Sequence, residues 1–127
     1  KQALIKDGWT ITHDPFHLRW GRKDMYVDLG AKKLILAERL EQKIAVEVKS
    51  FLGESELQAC RDAIGQFAIY RAVLRRSYPD YKLDLAIRDV IYNSFFEEPI
   101  GQILIEDENL KFIVFDAEKE VISQWKN

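Results

Sequence analysis

Apolar and polar positions alternate along residues 43–51, KIAVEVKSF. Ile44, Val46 and Val48 fall on one side of a period-two pattern, and Ala45, Glu47 and Lys49 on the other. The stretch predicts a strand with a buried β-branched face, from which Glu47 and Lys49 project together on the opposite side. An amphipathic strand with a solvated face is the plain reading of that pattern. Half of a metal-dependent nuclease site is the sharper one.

The rest of the chain supplies partners for this strand. KQALIKDGW reads as a helix whose beginning is missing, stopped at Gly8 where a glycine would follow the C-cap. WTITHD, residues 9–14, alternates and is rich in β-formers, and HLRW resumes an extended course after Pro15. MYVDLG, residues 25–30, predicts a second strand ending on Asp28. Residues 31–40, AKKLILAERL, fit a short helix by propensity and an extended hairpin arm by the LIL run, and the arm is preferred. Ser55 and Gln58 form a capping box that opens a long helix, which Pro79 ends. Leu57, Cys60, Ile64, Phe67 and Leu74 give it a core-facing stripe, with Gln66 and Tyr70 one turn apart on a neighbouring face. KLDLAI, residues 82–87, is a strand, so strand, helix and strand form the crossover of a parallel pair. Asp89 caps a second helix, VIYNSFF. GQILIEDE is helix or strand, and KFIVF and VISQW are closing strands.

Composition narrows the class. The 127 residues are 47% hydrophobic, enough for one domain with a single core, 1–127, and no apolar run is long enough to span a membrane. The single cysteine, Cys60, sits on the helix stripe, so a buried inert thiol and a reducing, cytosolic setting are expected. Net charge is −2, which argues against coating nucleic acid by charge alone. The charge is uneven: residues 1–96 carry sixteen basic against thirteen acidic side chains, and residues 97–127 three against eight. His13 and His17 stand four apart, but Pro15 between them argues against a helical metal pair.

Candidate chemistry enters with Asp28. Two carboxylates close in space can hold Mg²⁺ or Mn²⁺, one ion or two, and such an ion polarises a phosphodiester and activates a bound water. On neighbouring strands of one sheet, Asp28 and Glu47 would share the ion, with the Val48 backbone carbonyl as a further ligand. Lys49 beside them would orient or deprotonate the water.

These residues resemble the PD-(D/E)XK nuclease superfamily. In that pattern an acid ends one strand, E-x-K follows on the next and a helix comes after, as in VDLG, VEVK and the Ser55 helix. Some members also carry Q-x-x-x-Y on that helix, which GQFAIY supplies as Gln66 and Tyr70. The resemblance implies a restriction-endonuclease-like fold of α/β class, with a mixed central sheet flanked by helices in three layers. It implies that Gln66 and Tyr70 position substrate or Lys49. Two departures stand out: KQALIK lacks the first-helix acid of many members, and Val27 replaces the proline of the motif.

GWTITHDP, VDLGA, IAVEVKSF, GQFAIYR and KFIVFDAEKEVISQW together resemble XisH, the cyanobacterial excision controlling factor of the fdxN element. That resemblance implies a part in site-specific DNA rearrangement by a separate recombinase, with the small protein XisI as partner. Three readings follow. The first is a Mg²⁺- or Mn²⁺-dependent DNA endonuclease, a homodimer by analogy with enzymes that cut both strands. The second is a catalytically silent DNA- or protein-binding regulator acting with XisI. In the third, Glu47 and Lys49 form an exposed ion pair of little energetic worth and Tyr70 is simply core.

Overall fold

The computed structural model describes residues 1–20, 27–28, 34–48 and 56–126. Its frame is a six-stranded mixed sheet of order β1-β4-β5-β6-β7-β8. The strands are β1 (Thr10–His13), β4 (Leu34–Arg39), β5 (Gln42–Val48), β6 (Lys82–Arg88), β7 (Phe112–Asp116) and β8 (Val121–Lys126). A separate two-stranded ribbon pairs β2 (Arg19–Trp20) with β3 (Val27–Asp28).

The preferred arm over residues 31–40 is found: β4 runs antiparallel to β5, with Leu34 opposite Glu47 and Arg39 opposite Gln42. Helix α2 (Glu56–Ser77) then carries the chain over the sheet, so that β6 lies parallel to β5 with Val46 opposite Asp84. A second crossover makes β7 parallel to β6. It consists of α3 (Asp89–Ile91), a π-helical stretch (Tyr92–Phe96) and α4 (Pro99–Glu108). Pro99 therefore does not only break the second helix. It also begins α4, at a position where a missing N–H costs nothing. The ambiguous GQILIEDE is helical, and it ends at Asn109, which takes the left-handed conformation that asparagine tolerates.

Strand alternation sorts the core into two layers. Leu34, Leu36, Ala45, Leu83, Leu85, Ile87, Phe112 and Val114 face α2 and the second crossover. Ile35, Ala37, Ile44, Val46, Ala86 and Ile113 face the other way, toward Leu4 of α1 (Gln2–Lys6) and Trp9. Gly8, at φ +90, turns the chain out of α1, as the glycine after a C-cap does.

The stripe on α2 is shifted from the sequence expectation. Cys60, Ala63, Phe67, Tyr70 and Leu74 are buried, Ile64 packs partly, and Leu57 is 48% exposed. Ser55, which was to open the helix, lies outside the described residues. Cys60 is buried, and burial pushes its thiol up to about 11, which suits an inert core residue. His13 and His17 are both exposed, and the His13 ring packs edge-on against Phe16 at 5.3 Å.

Candidate metal centre

Glu47 lies one residue before the end of β5, at the carboxyl end of the central parallel pair. That is where open α/β sheets place their ligands, because the crossovers leave a crevice there. Two positions after Ala45, it shares that residue's face, the face covered by α2. The side of this strand expected to be solvated is covered at Ala45 and Glu47. Glu47 is 0% exposed and neither carboxylate oxygen meets water. This removes the exposed ion pair as an account of the E-x-K residues. A carboxylate taken out of water is costly unless a cation or donors match it.

Helix α2 brings Gln66 and Tyr70 to the same layer. Tyr70 is buried, and its hydroxyl accepts a hydrogen bond from Gln66 Nε2 at 3.1 Å. The Gln66 Oε1 is buried with no hydrogen-bond partner among the described residues. The Q-x-x-x-Y pair is thus a joined unit, and it leaves one acceptor unspent inside the layer that holds Glu47.

The other sequence-derived residues are placed less directly. Asp28 is on β3, where it pairs with Arg19 across the ribbon. It is not on the strand next to β5, as the sequence reading expected. That place belongs to β4, whose Leu34 faces Glu47. The strand that carries Asp28 pairs with β2 in a ribbon of its own, and β4 takes the place beside β5 in the main sheet. Val48 ends β5 opposite Ala86, so its backbone is at the carboxyl end of the sheet. Lys49 lies outside the described residues. Among the described residues, no group of three or more His, Cys, Asp or Glu side chains is arranged to hold a metal ion. A hard divalent cation takes oxygen donors, and the described residues at this end of the sheet offer the buried Glu47 carboxylate and the Val48 backbone carbonyl.

The matches to known proteins agree with one another. The family model described as XisH protein matches residues 1–123. The chain belongs to the XisH family. The crystal structure of an XisH family protein from Nostoc punctiforme is 42% identical, with TM-score 0.89, covering 99% of this chain and 94% of that one. The crystal structure of an fdxN element excision controlling factor protein from Anabaena variabilis is 44% identical, with TM-score 0.88, covering 99% and 93%. No match was found among curated proteins. Motifs spread from GWTITHDP to KEVISQW carried the XisH resemblance, and the family match covers all but the last two residues of that stretch.

One buried acid of this XisH chain was missed by the sequence reading. Asp84, in the middle of KLDLAI, is 0% exposed, and neither of its oxygens has a hydrogen-bond partner among the described residues. The signal was present as an aspartate at an inward position of an apolar strand. Asp84 shares its face with Val46 and Ala86, so it lies across the sheet from Glu47 and is no part of the same centre.

Proposed function

We propose that this XisH-family chain acts in site-specific DNA rearrangement as a Mg²⁺- or Mn²⁺-dependent DNA endonuclease built on a PD-(D/E)XK-like, restriction-endonuclease-like fold. The observation that carries the reading is the complete burial of Glu47 at the carboxyl end of β5, in the layer that also holds the Gln66–Tyr70 pair. A solvated strand face would need no such arrangement. In this reading Glu47, Asp28 and the Val48 carbonyl would hold the ion, and its chemistry there would be to polarise the phosphate and acidify the attacking water. Lys49 serves that water, and Gln66 with Tyr70 positions Lys49 or substrate. The test is cleavage of duplex, branched and single-stranded DNA with Mn²⁺. Lys49→Ala is expected to keep its fold by circular dichroism and lose cleavage. Cleavage that persists in that variant overturns the assignment.

A second reading is favoured by the name of the Anabaena variabilis relative, a controlling factor, and by the net charge of −2. In it the fold binds DNA or protein and XisI is the working partner. Co-purification of the two chains at micromolar concentration is its expected result, and separate elution contradicts it.

A further inference from the structure

A second polar centre lies at the opposite end of the sheet. The amino ends of β5 and β6, the β4–β5 turn, Trp9 and Trp125 enclose a cavity of about 400 Å³. Asp84 lines it from β6 with both oxygens unpartnered among the described residues and shielded from water. Burial pushes its carboxyl up to about 6, against the opposing pull of Lys82 and Lys111. The aromatic wall is a tilted pair, Trp9 and Trp125, with ring centroids 5.7 Å apart. Two nearby cations are already engaged. Arg39 donates from Nη1 to both Asp7 Oδ2 and the Asp7 carbonyl at 2.9 Å, and its guanidinium lies 4.6 Å from the Trp9 ring centre. The Lys43 amine sits 5.9 Å from the Tyr81 ring centre.

We propose that this cavity is a binding site for a guanidinium group, an arginine side chain presented by a partner protein. Two unsatisfied oxygens on one carboxyl match the two parallel N–H donors of a guanidinium, whereas an ammonium supplies a single point of charge. The wall already stacks one guanidinium on Trp9, so its chemistry for that group is visible in the protein itself. Exposed Glu41 and Asp80 at the cavity offset the charge of Lys43 and Lys82, which also line it. A divalent ion fits worse, since among the described residues Asp84 is the one carboxylate of the cavity out of water, and Glu41 and Asp80 are surface groups. The site shares no residue with Glu47, Gln66 and Tyr70, and it stands or falls apart from the nuclease reading.

Reaching Asp84 requires the side chains over it to move, and half-buried Trp125 lies among them, so tryptophan fluorescence reports binding. The probe is N-acetyl-arginine amide, with N-acetyl-lysine amide and guanosine monophosphate as comparisons. The arginine compound is expected to bind at about millimolar concentration, and at least about tenfold more weakly to Asp84→Asn. Equal binding to Asp84→Asn, equal binding of the lysine compound, or no saturable change overturns the proposal. Tighter binding of guanosine monophosphate also overturns it, in favour of a nucleobase pocket. Co-crystals of the unaltered protein give a measurement that needs no variant. Density for the guanidinium against the Asp84 carboxyl supports the site, and its absence there contradicts it.

Discussion

A carboxyl group removed from water must be matched by charge, held by donors or kept neutral, and among the described residues two are buried, on opposite faces of one sheet. Asp84 carries a stability consequence of its own. Its ordinary value of 3.8 is raised to about 6 in the folded chain by burial. Between those values the folded state keeps a proton that the unfolded state has released, so stability falls as pH rises through the window. Below it both states are protonated and Asp84 contributes nothing. Above it the full cost, on the order of 3 kcal/mol, is present. Asp84→Asn is therefore expected to raise stability at pH 7.5 and to flatten its pH dependence between pH 4 and 6, as urea denaturation at a series of pH values will show. The Gln66–Tyr70 bond makes a smaller claim. Tyr70→Phe should cost about 1 kcal/mol, because it removes a buried hydrogen-bond acceptor while keeping the ring. Glu47 was legible as a candidate because E-x-K stands on an alternating strand, but its burial was not. Period two says which side chains share a face and is silent on whether a helix covers it.

The elements were most legible where one pattern dominated. The α2 helix and strands β5 to β8 followed from periodicity and turn residues. The segments that stayed open were those where propensity and pattern disagreed, such as residues 31–40 and GQILIEDE. Tertiary pairing decided the first, because β4 satisfies the edge of β5 residue by residue. Packing decided the second. In α4, a Cβ on Gly101 would collide with the Phe95 carbonyl and the Phe96 backbone, so only glycine lets this helix approach the π-helical stretch so closely. Gly101→Ala should destabilise the protein by about 1–3 kcal/mol, read from a lower denaturation midpoint with unchanged cooperativity. Arg71 ties the two crossovers together, donating to the Glu108 carbonyl at 2.6 Å where α4 ends and lying over the Phe67 ring at 5.4 Å. The helix-end carbonyls attract such a cation.

For the whole molecule, the mixed sheet with helices on both faces was predictable from the strand–helix–strand order, because parallel pairs require crossovers. The ribbon of β2 and β3 was not, since the two short strands pair with each other and stand outside the main sheet. That displacement is why Asp28 does not face Glu47 from the adjacent strand. The fold thus keeps two buried carboxyls apart, Glu47 at the carboxyl end of β5 beneath α2 and Asp84 at the cavity beside Trp9.

The central claim is that Glu47 belongs to a working metal site. Calorimetric titration of Mn²⁺ into the protein and into Glu47→Gln tests it most directly, since the variant keeps the shape of the buried side chain and removes its charge. Saturable binding to the first, weakened at least about tenfold in the second, is the predicted result. Binding of equal strength in both, or none in either, contradicts the claim.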